Sequence, residues 1–126
     1  YVCCILPTAP LIIVENIKSS LVLLIENNYD TIKPIVKFPY PIQRALKYNN
    51  GKVVMMNPEL LRTRSQDLEE TYYDAGQFYW FKSEYGLKGK NKGAIIISEK
   101  YVQDIDNLED WEMAELKYKL FFEKKF

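Results

Sequence analysis

Tyr1-Val-Cys-Cys-Ile-Leu6-Pro-Thr-Ala-Pro10 is the stretch on which the fold turns. A continuous apolar run stopped by two prolines has the pattern of a central parallel strand, covered on both faces and running into a loop at its carboxyl end. Such loops are where open α/β sheets bind ligands. Beyond it, from Val14 to Asn27, the period changes. Ile17, Leu21, Leu24 and Ile25 recur at helical spacing, and Glu15, Lys18, Ser19 and Glu26 take the other side, so an amphipathic helix is expected to cover the sheet. Strand, ligand-type loop and covering helix together place the chain in the α/β class.

Further along, residues 31–36 have β-branched character but carry Lys33 and Pro34, and a proline removes one ladder donor. That strand is expected at an edge or at a bulge. Residues 42–48 and 52–56 flank Asn49-Asn50-Gly51, whose residues tolerate the positive φ of a tight turn, so a projecting β-hairpin is expected there. Residues 57–71 are polar and aperiodic and read as a loop with room for a helical turn. Strand character returns at 76–80, a short helix is expected over 81–87, and Ala94 to Ser98 reads as another buried strand. In the last element Asn107 can cap, Glu109 and Asp110 sit in the first turn, and Trp111, Ala114, Tyr118 and Phe121 form an apolar stripe. The expectation is a helix packed on the sheet, with Lys117, Lys119, Lys124 and Lys125 complementing its dipole.

Composition narrows the chemistry. The 126 residues suffice for one domain, and 48% hydrophobic content suffices for a core. The 17 basic and 17 acidic residues cancel, which removes the global field that attracts nucleic acid or an acidic membrane surface. With no His, triads built on imidazole and His-containing metal sites are excluded, leaving carboxylates, Lys, Arg and Tyr. Adjacent Cys3 and Cys4 point to opposite faces of a strand and read as reduced, buried thiols, which implies the cytoplasm. No apolar run is long enough to span a bilayer, and the opening on a buried-type strand suggests a fragment.

Asp104-Ile105-Asp106 lies between strand-like sequence and the last helix, so two carboxylates can point the same way with Ile105 turned inward. That donor set suits Mg²⁺, which takes one or two carboxylates and completes its octahedron with waters and substrate phosphates. Spacing alone equally allows Asp104 to end a strand while Asp106 or Asn107 caps the helix. Arg44, Arg62 and Arg64 can hold a carboxylate or phosphate through their planar guanidinium groups, or can pair with Asp67, Glu69 and Glu70. Tyr72-Tyr73-Asp74 can line a ligand or belong to the core. Met55 and Met56 read as packing.

Three segments, Thr63-Arg-Ser-Gln-Asp-Leu-Glu-Glu-Thr-Tyr-Tyr-Asp-Ala-Gly-Gln-Phe-Tyr79, Val102-Gln-Asp-Ile-Asp106 and Glu109-Asp-Trp-Glu-Met-Ala-Glu115, resemble the acylneuraminate cytidylyltransferase family, nearest to its branch that activates pseudaminic acid. Cys4-Ile-Leu-Pro-Thr-Ala-Pro10 and Phe38-Pro-Tyr-Pro-Ile-Gln-Arg-Ala-Leu46 follow in matching order, so the resemblance covers nearly the whole chain. It implies a three-layer α/β/α nucleotide-diphospho-sugar transferase (Rossmann-like) fold, truncated at the N-terminus, in which residues 1–126 are the C-terminal part of one domain. A β-hairpin and dimerisation insertion is implied around 38–72.

The implied reaction transfers CMP from CTP to a nine-carbon α-keto acid sugar with release of pyrophosphate, in a cytoplasmic homodimer that uses Mg²⁺. Asp104 and Asp106 match the family's metal-binding and catalytic pair. Thr8 and Ala9 fall in the loop near nucleotide and sugar, and Gln43, Arg44, Arg64, Gln66 and Asp74 in segments expected to face the sugar or the dimer partner. Tyr73 stands where the family usually has His, and Pro34 departs from its usual strand. The family's N-terminal phosphate-binding loop has no counterpart here, so the resemblance implies a piece inactive by itself. Activation of a neuraminic or legionaminic type of sugar, or a non-catalytic interaction module, are the competing expectations.

Overall fold

The computed structural model describes residues 1–123; Lys124 and Lys125, expected at the end of the last helix, lie outside them. In chain order the elements are β1 (Val2–Ile5), α1 (Val14–Glu26), β2 (Thr31–Lys37), β3 (Leu46–Asn49), β4 (Lys52–Met55), β5 (Tyr72–Asp74), β6 (Phe78–Phe81), β7 (Lys92–Ile96) and α2 (Leu108–Phe121). The chain is thus mixed α/β. It folds as two compact units, Tyr1–Val36 with the chain from Asp74 onward, and Lys37–Tyr73. Among the described residues no helix is long and apolar enough to cross a membrane.

In the first unit β6 pairs antiparallel with β1, from Val2 opposite Phe81 to Ile5 opposite Phe78. It also pairs antiparallel with the start of β2, Thr31 opposite Phe81 and Ile32 opposite Trp80. The other edge of β2 carries β7 in parallel, from Thr31 opposite Lys92 to Ile35 opposite Ile96. The strand expected at the centre, β1, therefore pairs among the described residues with β6 alone, and Cys4 on it is exposed rather than buried. An apolar run records residue type, and not which of its faces a neighbour covers. The centre is β2 instead, with Ile32, Pro34 and Val36 all buried.

Pro34 explains how a proline sits there. Its carbonyl accepts the Ala75 N–H at 3.1 Å, so its missing donor faces residues 75–77, where regular pairing with β6 has ended at Ile32. Of the two expectations the bulge holds and the edge does not, because the absent N–H falls at the break in register between the Ile32–Trp80 pair and the Ala75–Pro34 bond.

Helix α1 packs on this sheet through Ser20 and Leu24, both fully buried, while Ile25 is exposed on the face expected to be covered. Trp80 Nε1 donates to the Ile17 carbonyl at 2.9 Å and pins the helix to β6. The helix ends where Asn28 takes a φ of 52° and Tyr29 N–H donates back to the Leu24 carbonyl at 3.0 Å. The short helix expected over 81–87 reduces to one 3₁₀ turn at Gly86–Lys88, since β6 runs on through Phe81 and Gly86 takes a positive φ of 57°. Strand β7 is half exposed, with Ile96 facing solvent, because it lies at the sheet margin.

Helix α2 starts as its sequence expects. Asn107 Oδ1 accepts the Asp110 N–H at 2.9 Å, and Asp110 Oδ2 accepts the Asn107 N–H at 3.3 Å, a reciprocal capping box. Only Ala114 of the apolar stripe is buried; Trp111, Tyr118 and Phe121 remain partly exposed. Lys117 anchors the helix by donating to the carbonyls of Glu99, 3.2 Å, and Val102, 2.6 Å.

The second unit is built on the expected hairpin. Asn50 and Gly51, at φ 50° and 76°, make the two-residue turn that closes Asn49 opposite Lys52. Its base is tied by Phe38 N–H to the Thr71 carbonyl, 2.9 Å, by Lys37 to Glu70, 2.6 Å, and by the tilted rings of Phe38 and Tyr73.

Candidate functional site

The first unit brings the loop after β1 to the D-x-D segment. Leu6 N–H donates to the Gln77 carbonyl at 2.9 Å, the Ala9 N–H turns back to the Leu6 carbonyl, and the Thr8 carbonyl accepts the Ile105 N–H at 3.0 Å. Ala9 is buried beneath this turn and Thr8 is exposed on it. Ile105 is partly buried, with exposed Asp104 and Asp106 on either side, as alternation in non-helical backbone requires.

The capping alternative for the pair is now decided in part. Asn107 is the cap, and Asp106 contributes only its backbone N–H, to Asp110 Oδ2 at 3.0 Å. Among the described residues neither Asp104 nor Asp106 spends its carboxylate on a hydrogen bond or ion pair, so both keep their oxygens available. No third His, Cys, Asp or Glu of the described residues joins them to make a closed protein cage. Two free carboxylates without further protein ligands fit a hard cation that fills its shell with waters and phosphate oxygens.

Asp74 is spent differently. Its Oδ1 accepts the Gly76 N–H at 2.8 Å, and its Oδ2 accepts both Lys33 Nζ and the Tyr79 hydroxyl at 3.0 Å. Partial burial pushes this carboxyl up, but the Gly76, Lys33 and Tyr79 donors together outweigh burial and hold it below the usual carboxylate range. Burial first, and then donation to Asp74, push the Tyr79 hydroxyl up to about 12, with the charge of Asp104 adding in the same direction. Gly76, at a φ of 66°, joins the two acids: a Cβ there would stand 3.5 Å from Asp104 Oδ2. Asp74 and Asp104 thus flank one glycine, and Lys33 and Tyr79 extend the cluster.

Sequence reading missed Lys33 and Tyr79 as site residues. Their signal was alternation. Ile32 and Pro34 are buried on one face of β2, which turns Lys33 to the other, and buried Phe78 does the same for Tyr79. Cys3, whose thiol burial and the neighbouring Cys4 push up, carries no mark of a reactive thiolate.

The other four expected residues lie in the second unit. Gln43 Nε2 donates to the Glu69 carbonyl at 3.0 Å and Asn57 Nδ2 to the Gln43 carbonyl at 2.9 Å. The Arg44 guanidinium donates to the Thr63 carbonyl. Gln43 and Arg44 therefore bind the 57–71 loop to the turn at Ile42–Arg44, and each retains one buried polar atom, Gln43 Oε1 and Arg44 Nε, without a partner. Arg64 and Gln66 are exposed, and Gln66 lines a cavity of about 330 Å³ with Lys37, Tyr40, Glu69 and Glu70.

No family model matches the chain. Two curated proteins do. The pseudaminic acid cytidylyltransferases of Campylobacter jejuni subsp. jejuni serotypes O:2 and O:23/36 are each 34% identical to it over 133 aligned positions, which cover 100% of this chain and 57% of theirs. The chain spans a little over half the length of these relatives, whose name agrees with the resemblance read from the motifs.

Proposed function

We propose that the protein carrying this chain is a CMP-sugar synthetase, transferring CMP from CTP to a nonulosonic acid, pseudaminic acid in the first instance, with release of pyrophosphate. The observation that carries the reading is the pair Asp104 and Asp106, left with free carboxylates beside the Thr8 loop by a helix that caps on Asn107 instead. Similarity along the whole of this chain to two pseudaminic acid cytidylyltransferases, of which it covers 57%, supports it.

In this reading the anomeric hydroxyl of the sugar attacks the α-phosphorus, its oxygen forming the new bond as the bond to pyrophosphate breaks. Asp104 and Asp106 hold Mg²⁺, which when bound supplies charge neutralisation and alignment for the phosphates. The carboxylate nearer the hydroxyl accepts its proton. Thr8 and Ala9 shape the floor at which sugar and nucleotide meet. The chain covers 57% of these relatives, and in this reading the CTP phosphate cradle is supplied from outside it, without which the chain is inactive. The complete fold is the three-layer α/β/α arrangement.

Gln43, Arg44, Arg64 and Gln66 serve the sugar or a second protomer of a cytoplasmic homodimer. Exposed Leu46, Tyr48, Val53 and Val54 on the hairpin support that second role, since such residues gain from being covered. The experiment is to express the reading frame that encodes this chain, with whatever precedes Tyr1, and to follow pyrophosphate release from CTP and Mg²⁺. Pseudaminic acid is compared with N-acetylneuraminic acid, and release with neither rejects the reading.

A further inference from the structure

We infer that Lys33 is an anion-binding residue of this site, held in place by Asp74, and that Asp74 is a positioning residue rather than a direct substrate ligand. The inference deepens the transfer reading and rests on it for the identity of the anion: a pair of anionic oxygens, from the sugar carboxylate or from the nucleotide phosphates.

The argument begins with proton counts. Asp74 already accepts three hydrogen bonds, from Gly76, Lys33 and Tyr79, which fills most of the directions a carboxylate offers. The Tyr79 hydroxyl has given its one proton to Asp74. Lys33 has given one of three, and two N–H groups remain on a side chain that is 41% exposed. Its ammonium also lies 5.9 Å from the centre of the Tyr79 ring, a second restraint on its direction.

Charge makes the same point. Asp104 and Asp106 stand open on this unit, and Gly76, whose N–H donates to Asp74, would bring a Cβ to 3.5 Å from Asp104 Oδ2, so the two acids meet at one residue. An anionic substrate approaching such a surface needs cationic groups to meet it, and Lys33 is the protein's own cation fixed at that place, with donors to spare. The fixing is a property of the bulge. Where the register breaks opposite Pro34, Asp74 folds back onto the Gly76 N–H and presents Oδ2 to Lys33 and Tyr79 together.

The test is calorimetric titration of the protein expressed from the reading frame that encodes this chain, in EDTA, with pseudaminic acid and separately with CTP. Wild type binds at least one probe, and Lys33→Ala weakens that probe about tenfold or more, whereas Lys33→Arg stays within a few-fold of wild type. Lys33→Met serves if the alanine variant does not fold by circular dichroism. Asp74→Asn, which keeps shape but not charge, weakens the same probe several-fold and leaves the other unchanged, a selectivity that a merely structural role would not give. Which probe responds identifies the carboxylate or the phosphates. Wild type binding neither probe, or Lys33→Ala binding both as wild type does, overturns the inference. Absent pyrophosphate release with Lys33-dependent binding intact would reject the transfer reading and keep the anion site.

Discussion

Ile105 donates its backbone N–H to the Thr8 carbonyl at 3.0 Å, and this bond sets the D-x-D segment against the loop that follows β1. Residues about a hundred positions apart in sequence are joined through main chain alone, so substitution of either aspartate leaves the joint in place. Asp104→Ala and Asp106→Ala are each expected to lower kcat for pyrophosphate release about 100-fold or more, with circular dichroism unchanged, because on the proposed reading a metal ligand is lost and no buried contact goes with it. Turnover within a few-fold of wild type in both variants would remove the pair from the chemistry.

Asn107 carries the capping load. Asn107→Ala should cost about 1 kcal/mol, or roughly 4 °C in Tm for a chain of this size, while Asp106→Ala leaves Tm nearly unchanged. Thermal melts of the two variants side by side measure this, and a larger loss in Asp106→Ala would reassign the cap.

How much of this was legible in the sequence depends on whether the signal was local. The Asn50-Gly51 turn, the span of α1 and the Asn107 cap were readable, because φ preference, helical period and capping chemistry act within a few residues. Which strand is central was not: β1 carries the apolar run, yet β2, with Lys33 and Pro34 in it, is paired on both edges. That outcome is decided by pairing with β6 and β7, strands about fifty and sixty residues away. The same holds for the candidate site. Asp104 and Asp106 were visible as a pair, but Lys33 and Tyr79 join Asp74 only once the bulge has bent the chain back, and no spacing rule carries that information.

Asp74 gives stability a pH signature. Its native pKa lies below the ordinary aspartate value of 3.8, so its contribution is fully present above that value and is lost as pH falls through the native one. Urea midpoints measured from pH 7 downward should therefore fall more steeply in acid for wild type than for Asp74→Asn. Parallel curves would mean that the three donors do not favour the ionised form.

Lys117 is expected to matter more for stability than its place on a mostly exposed helix suggests. Lys117→Met keeps the stem but removes the donor to the Glu99 and Val102 carbonyls, at an expected cost of about 1–3 kcal/mol in chemical denaturation. Burial holds its ammonium below the ordinary lysine value, and the substitution tests whether the two carbonyls repay that burial. A cost near zero would show that the anchor is dispensable.

The most direct measurement is pyrophosphate release by the protein expressed from the complete reading frame, supplied with CTP, Mg²⁺ and pseudaminic acid, beside its Asp104→Ala variant. The account predicts release that requires the sugar and collapses in the variant; release indifferent to the sugar or to Asp104, or none at all, would contradict it.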